Sequence, residues 1–288
     1  MRDLIVNGLG IIAPLSVALI VFAQTLGIPP SRVMAFFRER PWVILRASIA
    51  ALILVPAAAL ILILVLEPAP AVAIGLAILV ACPPAPLMIK SAPKVGGGDA
   101  AFMASLHLGL AALAVVTVPA VLRVLAIPLG FSATVDLPSL LATVAKSILV
   151  PIGLGLIVRT LFPRWADRFA TTLDKVGSVG LLVVVVIVLV ALYGVLLRMD
   201  LWSYGVIAAV VASALAIGHW MIGTEHAEKR TILAVECAVR HPGLALAIGS
   251  TNFTPQQALP VLVPCILTSI VVATAYLFWR GRSRKEIA

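Results

Sequence analysis

The chain has 288 residues, 62% of them hydrophobic and only 11% charged, with a net charge of +9. A soluble domain carries roughly 25% charged residues, and no water-soluble fold of this length can hide so much apolar side chain. Soluble enzymes and nucleic-acid binders are therefore excluded as a class, and the basic balance needs another reading.

Apolar runs recur at lengths that cross a hydrocarbon core, which takes about 20 residues per helix; Ala47 to Leu66 and Leu181 to Leu197 are two of them. In chain order the predicted spans are 4–25, 42–66, 70–92, 100–126, 139–162, 176–198, 202–223, 230–252 and 256–280, nine in all. The expected fold is an all-α polytopic membrane protein, one transmembrane domain over 1–288. Basic residues cluster in every second connection: Arg32, Arg38 and Arg40; Lys94; Arg164, Arg168 and Lys175; Lys229 and Arg230; then Arg280, Arg282, Arg284 and Lys285. The other connections hold little beyond Arg123 and Arg198. The positive-inside rule makes the basic connections cytoplasmic, which leaves the N-terminus outside and the C-terminus inside.

Arg2 ahead of an apolar run, with Val21-Phe22-Ala23 as a poor cleavage site, mimics a signal peptide. Removing that segment would break the alternation of loop charges. The stretch Gly27 to Arg40 is basic and amphipathic, so it is expected to lie along the cytoplasmic interface as a connection. Cys82, Cys237 and Cys265 fall within apolar segments, and no Cys/His spacing suits a metal. Gly96-Gly97-Gly98 lacks the Lys-Ser/Thr ending of a phosphate loop and reads as a turn. No nucleophile elbow, zinc-ligand helix or dinucleotide fingerprint occurs, so an enzyme is not expected.

Two spans differ from the rest. The third reads AVAIGLAILVACPPAPLMIK, and Pro83, Pro84 and Pro86 remove backbone donors within an apolar run. The eighth reads RTILAVECAVRHPGLALAIGSTNF, where Pro242 and Gly243 follow Glu236, Arg240 and His241 at membrane depth. Interrupted backbone in a bilayer needs protein or a wet cavity around it. A pair of interrupted spans at corresponding places is the sequence sign of an inverted-repeat transporter, with its site where they cross. The third span precedes the fourth as the eighth precedes the ninth, giving a first repeat over about 1–130 and a second over about 136–282.

Glu236 and Arg240, four residues apart, share a helical face and can pair directly. They are either a structural staple or a substrate and ion site. Lys90 either snorkels to the interface or points into the cavity. His107 and His241 are either hydrogen-bonded packing groups or direct participants. His219 reads as interfacial packing, and Lys146 as lying near the outer face or packed against a carbonyl.

At these residues the chain resembles the bile acid:sodium symporter (SBF-like) family. AVECAVRHPGLALAIGSTNF is similar to that family's ninth-helix signature, a Glu-x-Gly-x-Gln-Asn stretch followed by Gly-Leu-Ala. LVACPPAPLMIK resembles its other crossing motif, Cys-Pro-Gly-Gly-Thr-Ala-Ser-Asn, and the likeness runs over almost the whole chain, including KSILVPIGLGLIV at 146–158. The resemblance implies a nine-helix form lacking the family's first helix, with core and panel domains moving about crossed helices and organic anions driven by sodium. It places Glu236 at the family's sodium-binding glutamate. The departures are Arg240 at its glutamine, His241 at its asparagine, Met88 and Ile89 at its serine and asparagine, and Met103 and His107 at two hydroxyl positions. Sodium prefers oxygen ligands, so the side-chain half of both sodium sites is largely gone. Arg240 and Lys90 as fixed cations would then partly replace sodium, with Glu236 or His107 able to hold a proton.

The expected function is a secondary transporter of a small carboxylate-type organic anion, working by alternating access and coupled to sodium or protons. The competing reading is a cation/proton antiporter with Glu236 as the ion-binding acid; a sensor or scaffold is disfavoured by the shortness of every connection. No cofactor beyond the coupling ion is expected, and the partners are the substrate and the lipid bilayer, without nucleic acid or an obligate protein. The expected location is a bacterial inner membrane.

Overall fold

The structure is a computed structural model that describes residues 2–27, 29–31, 38, 41–85, 100–131, 136–223, 227–252 and 255–285. Its helices are α1 (Arg2–Gly27), α2 (Pro41–Ile49 continuing through a π turn, Ala50–Leu54, into Val55–Leu66), α3 (Pro70–Ala81) and α4 (Ala100–Ala126). They continue with α5 (Leu137–Val144, a π turn at Ala145–Leu149, then Val150–Leu161), α6 (Pro163–Leu196), α7 (Leu201–Met221), α8 (Ala227–Ala238), α9 (Pro242–Asn252) and α10 (Pro255–Lys285). The described residues include no strand, only a single bridge between two interrupted segments. Six helices among them are long and apolar enough to cross a membrane.

Local chemistry sets the ends. Proline opens α3, α5, α6, α9 and α10 within the first two positions, where its missing N–H costs nothing. Asp200 caps α7, its carboxylate accepting from the Ser203 N–H at 2.8 Å and from the Ser203 hydroxyl at 2.8 Å. Glu67 closes α2 in the left-handed region at φ 45°, and the Trp202 indole N–H donates to the Leu66 carbonyl at 3.0 Å. The same four residues, Ile-Leu-Val-Pro, end both π turns. In each, the N–H of the valine reaches back five residues, to Ala50 and to Ala145 respectively, and the next residue is a proline with no N–H to offer.

One expected boundary moves. The expected sixth span begins at 176, whereas α6 begins at Pro163 and runs 34 residues without a break. At 1.5 Å per residue it is about 51 Å long, well beyond a hydrocarbon core of about 30 Å. The extra turns carry a second, shorter apolar face, where Ala166 and Ala170 bury against Leu26. Their exposed side bears Arg164, Asp167 and Arg168, with Asp167 paired to Arg159 of α5. Charge marked these turns as a connection; amphipathicity makes them helix.

The helices pack in two groups. α1 lies against α5 and α6, while α7 touches α2, α8 and α10, and α3 touches α2, α4, α9 and α10. The groups meet where α9 reaches α1 and α5, where α4 reaches α5, and where α6 reaches α10. Close contacts use small residues, as bundles in lipid do. A Cβ on Gly177 of α6 would stand 2.8 Å from Ile20 of α1, and one on Gly218 of α7 would stand 2.6 Å from the Leu233 carbonyl of α8. Outward, large apolar side chains are bare: Leu201 is 88% and Val190 74% exposed. Glu236, Arg240 and His241 are buried instead. That inversion of the soluble pattern is what a chain solvated by lipid shows.

Candidate functional site

The site grows from two interruptions that meet. α3 stops at Ala81, and residues 82–85 continue in extended form because Pro83 and Pro84 have no N–H to carry a helix forward. α8 stops at Ala238, and α9 restarts at Pro242, leaving 239–241 non-helical. The two short segments pair antiparallel at Pro84 and Arg240. The Ala85 N–H donates to the Val239 carbonyl at 2.8 Å, and the His241 N–H donates to the Pro83 carbonyl at 2.8 Å. Backbone groups released by the prolines thus satisfy one another inside the protein, which a lipid-facing segment could not do.

Four of the residues singled out in the sequence assemble around this crossing. Glu236 sits on the last turns of α8, fully buried, with Oε2 3.4 Å from Nδ1 of His107 on α4. Its Oε1 has no hydrogen-bond partner among the described residues. His241 precedes α9 and is buried; neither ring nitrogen has a partner among the described residues. Its ring lies beside Gly243, where an added Cβ would also collide with Val17 of α1 and approach Leu181 of α6 at 3.4 Å. His241 therefore stands at the contact between the two helix groups.

The expected ion pair between Glu236 and Arg240 does not form. Its i, i+4 geometry requires continuous helix, and α8 ends at Ala238, between the two residues. Arg240 turns the other way. Nη1 donates to the Cys82 carbonyl at 3.2 Å and Nη2 to the Ala51 carbonyl at 2.9 Å. A cavity of about 10 Å³ beside Arg240, walled by Val55, Leu79, Val80, Cys237 and Ser269, is the size of one water. Its guanidinium thereby ties α2, the α3 break and the α8 break together.

Lys90 and Pro86 lie outside the described residues, as do Met88, Ile89, the Gly96–Gly98 turn, most of the stretch 27–40 and the side chain of Met103. His219 packs at the α7–α10 contact with Nδ1 2.7 Å from the Tyr276 hydroxyl and Trp279 alongside. Lys146 is exposed, in the α5 π turn. What sequence reading missed was the Ala51 carbonyl. Its signal was Pro56, five residues on in a run otherwise suited to unbroken helix.

Comparisons with known proteins place this geometry in a family context. Residues 14–198, nearly two thirds of the chain, match the model of the Sodium Bile acid symporter family. A probable sodium/metabolite cotransporter of the chloroplast from Oryza sativa subsp. japonica is 22% identical over 209 residues, covering 71% of this chain and 49% of that protein. The chain spans about half the length of that curated relative. The family match ends before Glu236, Arg240 and His241, so the crossing is read from its own geometry.

Proposed function

The chain is an integral membrane protein of the sodium bile acid symporter family, and from that premise we propose that it is a secondary transporter moving a small carboxylate-type organic anion by alternating access. The observation that carries the reading is the antiparallel pairing of the two proline-interrupted segments, with Glu236, His107, Arg240 and His241 buried around it. Charged side chains at membrane depth are costly and mark a pathway more often than a scaffold, and interrupted, crossing spans are where such carriers hold cargo.

In this reading the fold is a nine-span inverted repeat, the first copy over about 1–130 and the second over about 136–282. The group α1, α5 and α6 is the panel, and the helices around the crossing are the core. Rocking of one against the other would part the contact of Gly243 and His241 with Val17 and Leu181 and open a path to the crossing from one side at a time. The N-terminus is outside and the C-terminus cytoplasmic, by loop charge, in a bacterial inner membrane. The protein is a carrier and not a catalyst, its partners are the anion and the bilayer, and it needs no cofactor besides a coupling ion.

The test is uptake of labelled monocarboxylates, sulfonates and sterol acids into proteoliposomes, preceded by a thermal-stability screen of the same compounds, since a ligand that binds only the folded state raises its melting point. Saturable uptake lost in Glu236→Gln supports the reading. A protein stabilised by none of these anions, and transporting none, refutes it.

A second reading is a cation/proton antiporter. It is favoured by the pairing of Glu236 with His107, an acid beside a base, while the cavity beside Arg240, at about 10 Å³, is too small for an organic anion. Proton-driven cation exchange in liposomes without any organic solute would select it.

A further inference from the structure

Sodium is the ion that the family's description implies, and the crossing can be tested for its fit. Sodium is a hard cation that wants several oxygen ligands at once. Among the described residues, the oxygens at the crossing that lack a partner from their own helices are Glu236 Oε1 and backbone carbonyls, two of which have been orphaned by proline. In α2 the Val55 N–H, which would serve the Ala51 carbonyl in an α-helix, serves Ala50 instead. The next donor in line would be residue 56, which is proline. In the α3 break, residue 86 would serve the Cys82 carbonyl in a continued helix, and it too is proline; the Ala85 N–H is already given to Val239. Both carbonyls accept from Arg240.

We propose that the Arg240 guanidinium is a tethered cation that replaces sodium on the Ala51 and Cys82 carbonyls, so that this carrier binds no sodium at the crossing and does not depend on it. The residues do not fit the ion. A sodium seated on these oxygens would have to displace two hydrogen bonds from a buried guanidinium and then sit beside its charge. The C-terminal ends of α3 and α8 both point at this place, and their partial negative charge is matched by a cation that cannot leave. Glu236 offers a single vacant oxygen, Oε1, and not a pair, since Oε2 faces the His107 ring, and one oxygen beside a guanidinium is far short of a sodium shell. No group of three or more His, Cys, Asp or Glu suited to a metal occurs among the described residues. Arg240 also has a mechanical consequence: its planar fork reaches two carbonyls on separate elements from two different nitrogens, whereas an ammonium would have to reach both from one.

The proposal rests on the carrier reading for its meaning but not for its test, which reads ion binding without substrate. The full-length protein in detergent is melted in sodium chloride and in choline chloride at equal ionic strength. Wild type is expected to melt at the same temperature in both. Arg240→Gln is expected to melt lower in choline and to recover by several degrees in sodium, because the vacated carbonyls and the new amide oxygen then accept the ion. Arg240→Lys is expected to be destabilised yet indifferent to sodium, and it serves if the glutamine variant does not fold. Sodium-specific stabilisation of wild type overturns the proposal, as does sodium-specific stabilisation of Arg240→Lys. A carboxylate uptake that requires sodium would overturn the tethered cation while leaving the carrier standing. Sodium-indifferent melting together with no anion transport would do the reverse.

Discussion

Gly218 offers the sharpest check on the packing that holds the site. A Cβ there would lie 2.6 Å from the Leu233 carbonyl, 2.6 Å from Ala234 Cα and 2.8 Å from Ala234 N. All three are backbone atoms of α8, so no side chain can rotate away, and α7 and α8 must part by roughly 1 Å to restore van der Waals contact near 3.5 Å. Inserting a methyl into a packed contact costs about 1–3 kcal/mol, and the upper end applies because only the backbone can yield. Against this, alanine recovers about 0.5–1 kcal/mol of helix propensity. The net is about 2 kcal/mol, or about 4–8 °C in melting temperature. Gly205, on the same helix, has nothing within 4 Å, so Gly205→Ala keeps the propensity gain alone and is expected to raise the melting point slightly. The assay is thermal unfolding of both variants in one detergent. A Gly218→Ala protein as stable as Gly205→Ala would refute the close approach of α7 and α8, and with it the placement of Glu236.

Glu67 is held at φ 45°, so Glu67→Gly is expected to match or exceed wild type by about 0.5–1 kcal/mol, whereas Glu67→Val should lose about 1–2 kcal/mol; thermal melts decide. Asp200 lies outside the spans, and the Ser203 N–H, then the Ser203 hydroxyl, hold its carboxyl below the usual 3.8. Its cap is therefore fully present above that value and fades as pH falls through the lower folded-state value. Asp200→Ala should melt lower than wild type at neutral pH, and the gap should close only in strong acid. His107→Phe would leave Glu236 Oε2 buried without the ring nitrogen that faces it, at a cost of about 1–3 kcal/mol, read by a melt. Breaking the surface pair Arg159–Asp167 with Asp167→Asn should change stability by under about 1 kcal/mol; a larger loss would mean that the extension of α6 is anchored there.

Much was legible because it is local. Hydrophobic run length marks spans one at a time, and a proline removes its own N–H whatever surrounds it, so the interruptions at Pro83 and Pro242 could be read directly. The early start of α6 is not legible in that way, because loop charge and helix amphipathicity overlap over Arg164 to Lys175 and charge alone points to a connection. The Glu236–Arg240 pairing failed for a related reason. The spacing rule assumes continuous helix, and the same Pro242 that marked the interruption also put Arg240 outside the helix that would have aligned it.

The residue string by itself determined the solvent of this protein, the order of its helices and the places where they break, since each is fixed by neighbours a few positions away. Only the tertiary structure decided what the breaks are for. Arg240 meets Ala51 across 189 residues and Cys82 across 158, and Glu236 meets His107 across 129. No local pattern encodes such partners. They follow from a buried polar group having to find whichever partner the packed helices leave free, and for Arg240 it is Pro56 and Pro86 that leave the two carbonyls without their own donors.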